Sequence, residues 1–399
     1  MILLSPYCTQ DLLFAWRSKL FSDVEIQICD THGDIPDPSL ENAETETLNG
    51  YEDGNANGEL LFSTHRSILS VRCPYFASIF LSPYSDSDSS LYTLPSPPFT
   101  PASLHFTLAY IYTGSLTLNR TFDLAVAMQI WRSAAYLSMD LLRDEVEARM
   151  GDMCHNFRGC CRICRMRCTR VFCFSTEPDV NSEYLEQNSK RIVISHFGET
   201  WNREIGELPY ETQKELIVSL CQSTTPSSTV DAMKGILSLR NRLGIERAAA
   251  PWTDHLRSML LPLEERIRHF LKAKFSDLVA SKAFIDLLEG VGFSNDVLEA
   301  LLAMFTECQT ERSAPGNYEV LVGRVLLREE GITMDARARV EDARHGLLTY
   351  IKKRWVGIRA NDGFEGLENW CLKELSDGED ISAPASSLEN SHVSEEKAS

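Results

Sequence analysis

Six of the twelve cysteines lie between positions 154 and 173: Cys154, Cys160, Cys161, Cys164, Cys168 and Cys173, with His155 beside the first. Thiolate and imidazole are the donors that Zn²⁺ prefers, and Cys161-x2-Cys164 has the knuckle spacing of a zinc site. Cys154 or His155, together with Cys168, would complete a tetrahedral set. The candidate metal ligands are therefore Cys154, His155, Cys161, Cys164 and Cys168, holding a structural zinc. Two other readings stay open. Cys160, Cys164 and Cys168 step by four, as small buried residues on one helix face would. Arg158, Arg162, Arg165, Arg167 and Arg170 would also suit an acylated segment held at an anionic membrane.

No other constellation announces chemistry. The sequence has no G-x-S-x-G, H-E-x-x-H, P-loop or dinucleotide fingerprint. Its other histidines, such as His105, His196, His255, His269 and His345, are scattered singly. These features predict a protein that is not an enzyme and has no small-molecule substrate. The net charge of −18 is concentrated in two polar segments. Residues 30–59 hold nine acids and no Lys or Arg, and residues 377–399 hold six acids and one Lys. Nucleic acid is thus an unlikely partner, because phosphate contacts need a basic footprint. No apolar run approaches the ~18 residues of a membrane span. The N-terminus lacks a secretory pattern, so the expected location is cytoplasmic or nuclear.

The elements that would position these residues follow from periodicity. Residues 9–20 carry Leu12, Leu13, Trp16 and Leu20 at helical spacing. In residues 21–28, Val24, Ile26 and Ile28 alternate with polar neighbours, as in a half-buried strand. The acidic stretch 30–59 reads as a disordered insertion within a hairpin whose second strand is residues 59–63. Two short helices follow, broken at Pro74. Residues 82–90 form a polar loop, and Leu91–Leu94 a strand. A helix starts at Thr100-Pro101 and ends at Gly114, Leu116 and Leu118 make a brief extended piece, and two helices fill 121–149. Beyond the Cys/Arg-rich joint 151–175 and a polar stretch 176–190, residues 191–375 read as all-α. Examples of its apolar stripes are Leu256, Leu260, Leu263, Ile267, Phe270 and Leu271, and Phe284, Leu287, Leu288, Val291, Val297, Leu301, Leu302 and Phe305. Trp201, Trp252, Trp355 and Trp370 read as core anchors there. The tail 376–399 reads as disordered.

Three pieces of this order resemble the BTB/POZ family: Ser22-Asp23-Val24; His65-Arg66-Ser67-Ile68-Leu69 with Tyr75-Phe76 and Phe80; and Tyr110-Ile111-Tyr112-Thr113-Gly114. The resemblance covers residues 7–150. It implies an α+β fold, a small sheet capped by a helical cluster, followed here by the all-α region. Asp23, His65, Tyr75, Phe76, Tyr110, Tyr112 and Gly114 are then structural signature residues, the acid and the histidine pinning the hairpin to the helices. The whole pattern also resembles uncharacterised BTB proteins of fungi. Family likeness further implies a protein-interaction adaptor that forms a homodimer through the BTB domain. In many members it docks a cullin scaffold as the substrate adaptor of a ubiquitin ligase; others are transcriptional or chromatin regulators, and a purely structural oligomer is a third role. The loop Ser82–Asp88 lacks the hydrophobic-x-Glu pattern of cullin-docking members, which counts against that partner.

Overall fold

The computed structural model describes residues 6–30, 61–82, 89–116, 121–245, 250–292, 295–328 and 331–376. It divides into two compact units, Met1–Leu216 and Ile217–Ser399. The predicted acidic insertion and tail fall almost wholly outside the described residues, as do positions 83–88 of the polar loop.

The first unit opens with α1 (Pro6–Ser18), followed by β1 (Val24–Asp30), β2 (Leu61–Thr64), α2 (Arg66–Arg72), α3 (Pro74–Phe80) and β3 (Leu91–Ser96). The sheet has the order β2-β1-β3. β1 runs antiparallel to β2, with Val24 opposite Thr64, and parallel to β3, with Glu25 opposite Leu91. Alternation puts Val24 and Ile26 in the core and Glu25 in solvent. α2 and α3 separate at Cys73, whose extended backbone (φ −128°, ψ 117°) is what a residue before proline adopts; Pro74 then occupies the first turn of α3.

α4 (Pro101–Thr113) is buried from Ser103 to Tyr112 except at His105, which is half-buried. Such a helix, covered almost all round, is the centre of its domain. Its start is fixed by a reciprocal cap: Ser103 N–H donates to Thr100 Oγ1 (3.2 Å), and Thr100 N–H to Ser103 Oγ (3.0 Å). Thr100 Oγ1 also donates to Gln129 Oε1 at 2.8 Å. Thr100→Ala is therefore expected to cost about 1–2 kcal/mol, measurable as a lower urea midpoint with an unchanged slope. Gly114 ends the helix in the left-handed region (φ 76°).

α5 (Leu124–Tyr136) and α6 (Asp140–Met153) follow, then α7 (Arg162–Ser175) and α8 (Glu183–Ser195). Sequence reading places a joint at 151–175 and a polar stretch at 176–190, but the compact unit runs through both. Cys164, Cys168, Val171, Phe172 and Phe174 form the buried face of α7. Ser182 caps α8 by accepting the Leu185 N–H (3.3 Å), and Leu185 and Ile192 join the same core as Val24, Leu69 and Trp131. Cysteines supply much of this apolar face, which is why the segment does not look like core by composition. Two further corrections arise nearby. Leu116 is buried in a bend, not a strand, and its N–H donates to Glu145 Oε1 (2.8 Å); Leu118 lies outside the described residues. Trp201 is a fully buried anchor, but of the first unit.

The short helices α9 (Phe197–Thr200) and α10 (Arg203–Gly206) lead to α11 (Tyr210–Ser223), within which the boundary between units falls. The second unit is all-helical. Its longest helix, Pro251–Ala273, buries the predicted stripe from Leu256 to Leu271, and the predicted set from Phe284 to Phe305 is buried except Val291. Gly290 (φ 76°) terminates the helix before Val291, leaving that side chain in solvent. Trp252, Trp355 and Trp370 are half-buried, not central. Glu264, 3% exposed, is paired by Arg240 and Arg268, which offset the cost of burying its charge. Among the described residues no helix is long and apolar enough to cross a membrane.

Candidate functional site

Two clusters of the first unit gather the residues singled out by sequence. The first surrounds His65. Its Nε2 lies 2.7 Å from the Leu20 carbonyl and its Nδ1 2.7 Å from Tyr112 Oη. A carbonyl only accepts, so Nε2 carries the proton, and Nδ1 accepts the Tyr112 O–H. Tyr112 Oη in turn accepts the His65 backbone N–H at 3.0 Å. Burial pushes the Tyr112 hydroxyl far above the usual tyrosine range, against the lowering effect of that N–H, so it remains a donor. Trp16 of α1 stacks on the Tyr112 ring at 5.5 Å. The network thereby joins α1, the entry to α2 and the end of α4.

Asp23 sits beside it at the surface. Its Oδ1 accepts the Arg66 N–H at 2.8 Å, capping the first turn of α2. Arg72, which sequence reading passed over, donates to the Ile111 carbonyl at 2.7 Å and to the Tyr112 carbonyl, at the C-terminal end of α4. Phe76 is fully buried and stacks on Phe80 (5.6 Å), while Tyr75 meets Tyr136 at the surface. Tyr110 is buried, and its carbonyl accepts the Gly114 N–H at 2.7 Å. Each of these residues is hydrogen-bonded or packed against its neighbours.

The second cluster lies where α6 hands over to α7. Cys154, Cys164 and Cys168 are wholly buried; Cys161 is half-buried, and His155 and Cys160 are exposed. His155 Nδ1 is 3.1 Å from Cys160 Sγ and 3.7 Å from Cys161 Sγ. Its donor atom, with those of Cys160 and Cys164, forms a triad in which all separations are within 4.8 Å. Behind it Cys164 Sγ donates to the Cys154 carbonyl (2.8 Å) and lies 4.0 Å from Cys168 Sγ. The Cys154 thiol, then burial, push the Cys168 thiol far up; burial and then Cys168 raise Cys164.

This arrangement differs in composition from the set expected from spacing. Cys160 joins the metal-competent triad, whereas Cys154 and Cys168 lie on its inner side with Cys164. Only Cys164 and Cys168 share the helix face, because α7 begins at Arg162 with Cys161 as its N-cap. Of the six cysteines, Cys160 is exposed and Cys161 and Cys173 are half-buried, so burial closes only Cys154, Cys164 and Cys168 to acylation. Three of the five adjacent arginines are engaged by protein groups: Arg165 with Glu199 (2.5 Å), Arg167 with the Met153 carbonyl (2.9 Å), and Arg170 with Glu204 (3.6 Å). No pair of cysteines among the described residues is joined in a disulfide.

A family model for the BTB/POZ domain matches residues 56–152. This chain therefore carries a BTB domain, a protein-interaction module, with a small three-stranded mixed sheet and helices, and an all-helical region follows it. The match starts after β1 and ends at the close of α6, so α7 and α8 are additions to the matched region that share its core.

Proposed function

We propose that this protein is a non-catalytic adaptor of the cytoplasm or nucleus, in which the BTB domain joins a second copy of the chain and a scaffold while the helical unit holds a client. The observation that carries the reading is the apolar surface of α1 and the turn after it, on a domain of an interaction family. Phe14 is 65% exposed and Phe21 92%, with Leu20 between them in sequence. Covering a phenylalanine recovers roughly 1.5–3 kcal/mol, so these side chains favour a protein partner. A cullin is the scaffold we favour from family likeness; positions 83–88, where its docking pattern is missing, lie outside the described residues.

Light scattering on the full chain is expected to give twice 45.0 kDa, and Phe14→Asp with Phe21→Asp to return it to the single mass. A monomer at micromolar concentration would sink self-association. Affinity capture from cells should enrich cullin and ubiquitin machinery; chromatin factors without a cullin would replace the adaptor reading with a regulatory one.

A further inference from the structure

We propose that His155, Cys160, Cys161 and Cys164 together bind one Zn²⁺, and that this metal staples the end of α6 to the start of α7. The site is independent of the adaptor reading. In a tetrahedral zinc centre Zn–S is about 2.3 Å and Zn–N about 2.0 Å, which places neighbouring donors roughly 3.6–3.8 Å apart. His155 Nδ1, Cys160 Sγ and Cys164 Sγ are already within 4.8 Å of one another, and Cys161 Sγ is 3.7 Å from His155 Nδ1. Closing the set requires Cys161 Sγ to turn toward this triad and Cys164 to give up its proton and its hydrogen bond to the Cys154 carbonyl. Three thiolates and one imidazole in this geometry suit zinc over harder cations. Four protein donors leave no open position, so the centre is structural.

Two features of the backbone support it. Cys161 is the N-cap of α7, and its Sγ accepts the Cys164 N–H at 3.4 Å. A thiolate in that place is stabilised by the helix terminus. The link between the helices is also costly. His155, Asn156 and Phe157 take φ of 50°, 52° and 52° in succession, and Gly159 takes 63°. A left-handed conformation costs an L-residue about 1–2 kcal/mol. This turn brings the His155 ring to Cys160, and metal coordination offsets its strain. Gly159 is required there twice over, since a Cβ would also meet His196 Nε2 at 3.0 Å. The three thiolates leave the bound centre with one net negative charge, beside Arg158 and Arg162. Arg165 braces the same turn, its Nε donating to the Gly159 carbonyl at 3.0 Å.

The test uses the full chain, purified reduced and without added metal. Elemental analysis is expected to find one zinc per chain. Titration of the metal-free chain with Co²⁺ alone should give the visible bands of a tetrahedral ion and the near-ultraviolet charge transfer of thiolate ligation. Cys160→Ser is the primary variant, because its side chain is exposed and circular dichroism should find it folded. It is expected to weaken zinc binding by roughly 100-fold, at or beyond the upper end of the loss for an outer-shell partner. Cys161→Ser and His155→Ala should behave alike, and Cys173→Ser should bind as the parent does. Absence of stoichiometric zinc together with no tetrahedral cobalt spectrum would overturn the site. Parental affinity in Cys160→Ser would overturn this ligand set, as would loss on Cys168→Ser with none on Cys161→Ser.

Discussion

His65→Ala is expected to destabilise the first unit by about 2–4 kcal/mol, although no sheet hydrogen bond is lost. The substitution removes the ring partner of the part-buried Leu20 carbonyl and leaves the buried Tyr112 hydroxyl with the His65 backbone N–H alone. Each buried group left unsatisfied costs roughly 1–3 kcal/mol. The vacated ring adds a cavity against Tyr112, whose own ring is held by Trp16. Chemical denaturation followed by tryptophan fluorescence should show a lower midpoint for one of two transitions, since the chain has two compact units. Tyr112→Phe should be milder, because it removes the shared hydroxyl and leaves the ring. The double variant should fall short of the sum by on the order of 1 kcal/mol, the signature of residues in one network. Strict additivity would mean that the two side chains do not interact in solution.

His65 also illustrates what the amino-acid order makes legible. A histidine just after a strand and just before an apolar helical run reads as a pin, and its ring meets the Leu20 carbonyl and the Tyr112 hydroxyl. Pro74, Thr100-Pro101 and Gly114 mark helix limits because their constraints are local: a missing N–H, a fixed φ, a tolerated positive φ. β1 and β2 pair despite the long stretch between them, because alternation in Val24, Ile26 and Ile28 is visible without it. The extent of the first unit is hidden for the opposite reason. Whether Cys164 and Cys168 are ligands, reactive groups or core depends on what faces them, and nothing adjacent in sequence says so. Cys160 enters the metal-competent triad only through three successive left-handed residues, none of them glycine. That conformation has no compositional mark. Cys161 and Cys164 could be paired from spacing alone, whereas Cys160 could not.

Trp131 is one of the side chains that join the matched BTB region to α7. Trp131, 2% exposed, presents its ring edge-to-face to Phe174 of α7 (centroids 5.7 Å apart), lies under the Arg143 guanidinium of α6 (5.7 Å), and donates Nε1–H to Glu147 Oε1 (2.9 Å). Two helices, α6 and α7, thus converge on a residue of α5. Trp131→Ala is expected to cost about 3–5 kcal/mol, the loss of a large buried aromatic and the cavity it leaves. The distribution of that loss is the informative part. If α7 belongs to the BTB core, its amides over residues 162–175 should lose exchange protection together with those of α5 and α6, because one cooperative unit opens as one. If the Cys/Arg segment were a separate joint, those amides would keep their protection while α5 and α6 lost theirs. Trp131→Phe should retain the edge contact and forfeit the Glu147 hydrogen bond, restoring most of the stability. The coupling follows from packing: an aromatic pair contributes only about 0.5–1.5 kcal/mol beyond its buried area, so α7 stays with this domain because the whole face from Cys164 to Phe174 is buried with it.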